Sequence, residues 1–157
     1  MPPVPTASLP RRLVLADDAA TAALAGVLAV LARPGDALLL SGPLGAGKTT
    51  LARAFLRQLT GDPALEVPSP SFTLVQDYAT PRGMAHHFDL WRLSGPAGLA
   101  ELGWDQALDG IVLVEWPERL GALAPAGALR IALDYDETGG RRADLTGWTD
   151  RLGPPRP

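Results

Sequence analysis

The chain has 157 residues, 46% hydrophobic and 20% charged, which suits one globular domain with its own core and excludes a wholly disordered chain. It has no cysteine, so disulfides, thiolate metal sites and a cysteine nucleophile are ruled out. A net charge of −3 argues against a broad nonspecific grip on nucleic acid, and the longest apolar run falls short of the roughly 20 residues that span a membrane.

Residues 1–11, with Pro2, Pro3, Pro5 and Pro10, read as a disordered lead. Arg12 to Leu15 predicts a short strand. Asp17 has N-cap chemistry, and Leu24, Val27, Leu28 and Leu31 mark one buried helix face before Pro34-Gly35 ends the helix. Ala37 to Leu40 is an apolar run of the kind buried on both faces of a sheet. A glycine-rich loop follows, then a helix over about Lys48 to Leu59, stopped by Gly61-Asp62-Pro63. Pro68-Ser69-Pro70 excludes helix. Phe72 to Tyr78 and Met84 to Leu93 flank a turn at Thr80-Pro81-Arg82-Gly83 and read as a hairpin. Gly95 to Leu102 predicts a short helix around Pro96. Ile111 to Val114 is a second fully apolar strand, ending in Glu115, and Pro117 opens a short helix. Ala128 to Asp136 and Arg141 to Trp148 flank Gly139-Gly140 as a second hairpin. The sum is a single α/β domain over 12–150, with central parallel strands and antiparallel hairpins at the sheet edges, and a frayed tail over 151–157. Asp17 and Asp18 interrupt the stretch after Arg11 and Arg12, so no signal peptide is predicted and a cytoplasmic location is expected.

Gly42-Pro43-Leu44-Gly45-Ala46-Gly47-Lys48-Thr49 fits G-x-x-x-x-G-K-[ST] without a mismatch, between a buried strand and a helix. Glycines such as Gly42, Gly45 and Gly47 let backbone N–H groups turn inward toward phosphate oxygens. The helix start at Lys48, Thr49 and Thr50 adds unpaired N–H groups and the positive end of a dipole. Lys48 reaches the β- and γ-phosphates, and Thr49 offers a hydroxyl to Mg²⁺. The chain uses thirteen arginines but this one lysine, as expected where a compact ammonium is needed. Guanine readers of the GTPase class need an Asn-Lys-x-Asp segment. This chain has no asparagine, so ATP is the expected nucleotide. The expected fold is the three-layer sandwich of P-loop NTPases.

Such a loop needs a second acidic group for Mg²⁺ or for water. Glu115, after four apolar residues, is the better Mg²⁺ partner by pattern, and Asp89 is placed to share the ion's water shell or position the attacking water. Ser69 and Ser71 flank Pro70 in a rigid segment where a hydroxyl can sense the γ-phosphate, as in switch loops. Either acid also reads as a surface carboxylate past a core strand, and the serines as an ordinary proline turn. His86 and His87 are expected to alternate between sheet faces, without a metal role. Trp91, Trp104, Trp116 and Trp148 read as core or interface aromatics, with Trp116 the natural reporter on the site.

In this order the motifs resemble the TsaE (YjeE) family of small bacterial ATPases needed to make N6-threonylcarbamoyladenosine in tRNA. The resemblance rests on Gly45 to Thr50, on Ser69-Pro70-Ser71-Phe72-Thr73-Leu74-Val75, on His87-Phe88-Asp89-Leu90-Trp91-Arg92-Leu93, on Glu101-Leu102-Gly103 and on Val114-Glu115-Trp116-Pro117-Glu118. The resemblance extends over about residues 12–136. Pro43 stands where the family usually has Asp, Ser71 where it has Thr, and Trp91 where it has Tyr. The resemblance implies ATP and Mg²⁺ as cofactors, Thr49 and Glu115 as Mg²⁺ ligands, Asp89 serving hydrolysis and Ser71 as switch hydroxyl. It also implies that TsaB and TsaD are the partners, reset by ATP hydrolysis, with tRNA met indirectly through that complex. Two other classes share the loop. A small-molecule kinase needs an arginine-rich acceptor lid, yet residues 61–83 hold only Arg82. A noncatalytic adaptor would bind ATP without hydrolysis even with partners present. The sequence offers no obvious arginine finger near the γ-phosphate, so weak activity alone and dependence on a partner are expected.

Overall fold

Two apolar runs build the centre of the sheet. In the computed structural model, which describes residues 11–152, Ala37–Ser41 and Ile111–Glu115 pair in parallel and are buried almost throughout. In chain order the elements are β1 (Arg12–Leu15), α1 (Asp18–Leu31), β2 (Ala37–Ser41), α2 (Lys48–Thr60), β3 (Val75–Thr80), β4 (Gly83–Asp89), α3 (Trp104–Ala107), β5 (Ile111–Glu115), β6 (Leu129–Tyr135), β7 (Arg141–Thr146) and α4 (Thr149–Leu152). Short 3₁₀ segments lie at Pro96–Gly98, Ala100–Leu102 and Pro117–Leu123. The sheet order is β1-β7-β6-β2-β5-β4-β3. β6, β2, β5 and β4 run parallel, while β3 and the β7–β1 pair join antiparallel at the two edges. This is the α/β arrangement expected from the sequence.

The two faces of the sheet are covered differently. On one, Leu38, Leu40, Ile111, Leu113 and Ile131 pack under α1 and α2 with Leu28, Leu51 and Phe55. On the other, Leu39, Phe88, Val112 and Val114 pack under the short helices with Leu99, Trp104 and Leu120. That third layer stops near β2. Further out, Arg130, Ala132 and Asp134 of β6 face solvent while Leu129, Ile131 and Leu133 are buried, the alternation of a sheet with one wet face. Ion pairs Arg12–Asp144 and Arg142–Asp134 lie along these outer strands.

Several local expectations shift. Asp17 caps α1 by accepting from the Ala20 N–H at 2.9 Å, but the buried stripe is Thr21, Leu24, Ala25, Leu28 and Ala29. Val27 and Leu31 are only half-buried, because alanines admit the close approach of α2. The first hairpin strand begins at Val75 rather than Phe72. Residues before it turn instead, with the Leu74 N–H donating to Pro70 O and Leu74 itself at φ 68°. The partner strand ends at Asp89, not Leu93. The expected tail starting at 151 is corrected. Arg151 pairs with Asp36 through contacts of 2.6 and 2.8 Å, and Leu152 is buried. Arg11, expected in the lead, accepts from the Leu145 N–H through its carbonyl and donates to Gly147 O. The rest of the expected lead, 1–10, and of the tail, 153–157, lies outside the described residues. Among the described residues no helix is long and apolar enough to cross a membrane.

Candidate functional site

The site grows from the strand–loop–helix at Ala37–Thr60. β2 is buried on both faces, so the chain leaves the sheet only at its C-terminal end. There Gly42, Gly45 and Gly47 all take positive φ, and Gly47 is the N-cap of α2 without a side-chain cap. The last glycine thus leaves the first N–H groups of α2 without a protein acceptor from its own side chain, as an anion site requires. Gly42 serves closeness as well. A Cβ there would lie 2.2 Å from the Leu133 carbonyl oxygen of β6. Ala46 buries its methyl in the core and its N–H donates to Pro43 O, so it braces the loop from within.

Lys48 is buried. Its Nζ donates to Gly42 O at 2.6 Å and Pro43 O at 3.0 Å. The ammonium also stands 4.2 Å over the Trp116 ring. Burial pushes the Lys48 pKa down, while Glu115, Glu118 and Asp89 pull it back up. Trp116 reaches this position through a left-handed backbone, φ 59°, immediately after β5. Trp91 packs on it at 4.4 Å between ring centroids. Trp104 and Trp148 are core residues, as expected, but Trp91 is half-exposed and belongs to the site with Trp116.

The two acids stand side by side. Asp89 and Glu115 are register partners at the ends of parallel strands β4 and β5. The Thr49 hydroxyl donates to Glu115 Oε1 at 2.7 Å. His87 Nε2 is 2.6 Å from Glu115 Oε2, with both side chains buried. Asp89 Oδ2 accepts from Ser69 Oγ at 3.2 Å and Ser71 Oγ at 3.5 Å, and the two serine hydroxyls are 2.9 Å apart. Lys48, Thr49, Thr50, Ser69, Ser71 and Asp89 therefore line one cleft of about 300 Å³, with Gly45, Gly47 and Trp116. Glu115 lies buried beneath Thr49.

Three residues escaped the sequence reading. His87, for which the sequence predicts no role, holds the far oxygen of Glu115, and His86 faces the other way onto Asp77 at 2.7 Å. Tyr135 donates to Leu44 O at 2.7 Å. Arg141 donates to Gly45 O and lines the cleft. The β4 alternation carries a signal for His87, since it shares a sheet face with Asp89. Nothing local marks the other two.

The donor set suits Mg²⁺ bound with a nucleotide. Among the described residues no three His, Asp or Glu side chains gather as a metal cage. Magnesium ordinarily takes one or two protein oxygens and completes its octahedron with phosphates and water. Thr49 and Glu115 offer that minimum, beside a loop whose N–H groups and ammonium suit phosphate.

A strand, a glycine-rich loop ending in Gly-Lys-Thr, a helix and two acids on neighbouring parallel strands define the α/β fold of the P-loop NTPases. A family model for the threonylcarbamoyl adenosine biosynthesis protein TsaE matches residues 15–143. The TsaE protein of Rickettsia felis is 37% identical over 123 residues, 78% of this chain and 71% of its own. That of Nostoc is 35% identical over 141 residues, covering 86% and 85%. The crystal structure of Bacillus subtilis YdiB superposes with a TM-score of 0.72 at 29% identity, covering 90% of this chain and 87% of that one. The chain belongs to the TsaE family.

Proposed function

We propose that this protein is a cytoplasmic, Mg²⁺-dependent ATPase that acts in formation of N6-threonylcarbamoyladenosine in tRNA. It would bind TsaB and TsaD and reset their complex through ATP hydrolysis, meeting tRNA only through them. The observation that carries the reading is the meeting of Lys48, Thr49, Asp89 and the Ser69–Ser71 pair around one cleft, with Glu115 beneath. Lys48 and the loop N–H groups bind the phosphates, and Thr49 with Glu115 holds Mg²⁺. When bound there, Mg²⁺ would supply charge neutralisation at the phosphate oxygens. Asp89 orients the attacking water. Ser71, already hydrogen-bonded to Asp89, senses whether the terminal phosphate is present and passes that state to the exposed segment around Phe72.

Turnover and binding test the proposal together. ATP should bind in calorimetry with Mg²⁺, turn over slowly alone, and turn over much faster with TsaB and TsaD from the same cell. Full-speed hydrolysis alone, without a nucleotide-dependent complex, points to a self-sufficient enzyme. Binding without hydrolysis under every condition points to an adaptor, and phosphate transfer to a small acceptor points to a kinase.

A further inference from the structure

We propose that Arg141, braced by Tyr135, forms the platform for the nucleoside half of the bound nucleotide, an inference that rests on the ATP-binding reading above. A loop that turns its N–H groups inward presents its carbonyls outward. Here two successive outward carbonyls are tied to the β6–β7 hairpin. Tyr135 Oη donates to Leu44 O at 2.7 Å, and Arg141 Nε and Nη2 donate to Gly45 O at 3.3 and 3.2 Å. Tyr135 and Arg141 are themselves register partners, so one rung of the hairpin holds both contacts. The Arg141 stem lies against the loop's last glycine: a Cβ on Gly47 would meet Arg141 Cδ at 3.0 Å.

This guanidinium differs from Arg12 of β1 and Arg142 of β7. Arg12 pairs with Asp144, and Arg142 with Asp134 and Asp144. Arg141 forms no ion pair among the described residues; its contacts go to a single carbonyl, which leaves donors and a flat face at the rim of the cleft. The order of strands decides which part of the nucleotide it meets. β5 and β4, with Glu115 and Asp89, flank β2 on one side, and β6 and β7 flank it on the other. The acidic flank takes the metal and the terminal phosphate, so the hairpin flank takes the opposite end of the ligand. A planar guanidinium stacks on aromatic rings, which a lysine ammonium cannot do, and a purine is such a ring.

Calorimetry with Mg-ATP and with Mg-tripolyphosphate, which has the phosphates but no nucleoside, tests the inference. Arg141→Ala should weaken ATP binding roughly tenfold, in the range of stacking contacts, and leave tripolyphosphate binding unchanged. Arg141→Lys keeps the charge without the flat face and should lose most of the same factor. Equal weakening of both ligands would make Arg141 a phosphate contact and overturn the platform. So would unchanged ATP affinity in Arg141→Ala, or full affinity in Arg141→Lys. Thermal unfolding of each variant separates a folding defect from a binding one, and the lysine variant decides the matter if the alanine variant does not fold. A wild-type protein that binds neither ligand removes the ATP reading itself, and the platform with it. Intact wild-type binding with insensitive variants removes only the platform.

Discussion

Thr49 and Glu115 stand 66 positions apart in the chain and 2.7 Å apart in the structure, the hydroxyl donating to Oε1 of the carboxylate. The contact joins the start of α2 to the end of β5. Asp89 is one strand further out and binds the two serine hydroxyls instead. The two acids should therefore separate by role. Glu115→Ala should weaken ATP binding in Mg²⁺ and leave binding in EDTA little changed. Asp89→Ala should keep ATP binding and lose hydrolysis. Calorimetry with and without Mg²⁺, beside a phosphate-release assay, checks both; the reverse pattern would exchange the assignments.

His87 completes the hold on Glu115 by engaging Oε2 at 2.6 Å in a fully buried position. Removing the ring strands a buried carboxylate oxygen. His87→Ala should cost roughly 1–3 kcal/mol of stability, the desolvation penalty of one unsatisfied buried group. It should also raise the Mg²⁺ concentration needed for half-maximal ATP binding, because Glu115 loses its fixed orientation. His87→Gln retains an N–H donor and should recover part of both losses. Urea denaturation and a Mg²⁺ titration read the two effects separately. A variant that loses stability yet keeps its Mg²⁺ midpoint would confine His87 to the core.

Gly42 gives a test of the loop's seat on β6. It takes φ 141°, and a Cβ would fall 2.2 Å from Leu133 O, a backbone atom that cannot swing away. Gly42→Ala should destabilise the protein by roughly 1–3 kcal/mol from overpacking alone. Gly61→Ala is a useful contrast, since its φ is 75° but no atom lies within 4 Å of the added carbon. Thermal melts of the two variants should rank Gly42→Ala as the more damaging.

The sheet's centre was legible because β2 and β5 are apolar on both faces, and the glycine-rich loop because its motif is contiguous, Gly42 to Thr49, between a buried strand and a helix. Glu115 was legible as an acid ending an apolar run. His87 was only half legible: the alternation along β4 puts it on the Asp89 face, but only the pairing of β4 with β5 brings it to Glu115. Tyr135 and Arg141 were hidden by distance: they meet loop carbonyls 91 and 96 positions away. Phe72 looked like the first residue of a strand by its aromatic side chain, yet 82% of it is exposed and Leu74 breaks the extended backbone at φ 68°. Trp91, expected in the core or at an interface, is 51% exposed and lines the cleft. Its ring packs at a tilt on Trp116, which covers the Lys48 ammonium, so both aromatics serve the site.

Lys48 occupies a compartment sized for an ammonium, with carbonyl oxygens at 2.6 and 3.0 Å and an indole face at 4.2 Å. Lys48→Ala should lose roughly 1.5–3 kcal/mol of ATP binding, tenfold or more. Lys48→Arg should fail as well, since a planar fork does not fit where a point charge does. Burial lowers the pKa, so the ammonium deprotonates at a lower pH than an exposed lysine. ATP affinity should accordingly begin to fall with rising pH below the ordinary lysine value of 10.5. Trp116 fluorescence, read during ATP titrations across that range, follows both the binding and its loss.

Ser71 connects the cleft to the surface. Its hydroxyl is 2.9 Å from that of Ser69 and 3.5 Å from Asp89 Oδ2, while the next residue, Phe72, projects into solvent with the Arg92 guanidinium 4.3 Å from its ring. A hydroxyl so placed can exchange Asp89 for a phosphate oxygen and move the backbone that carries Phe72. Ser71→Ala should therefore weaken ATP affinity by no more than about tenfold, since one neutral hydrogen bond contributes only roughly 0.5–1.5 kcal/mol and Lys48 and the loop remain. The same substitution should abolish the strengthening of TsaB–TsaD association by ATP. Phe72→Ala should weaken that association in every nucleotide state, because it removes contact surface and not the sensor. Surface-immobilised TsaB–TsaD, exposed to each variant with ATP, ADP and no nucleotide, distinguishes the two. A Ser71→Ala protein whose association still responds fully to ATP would move the sensor to Ser69.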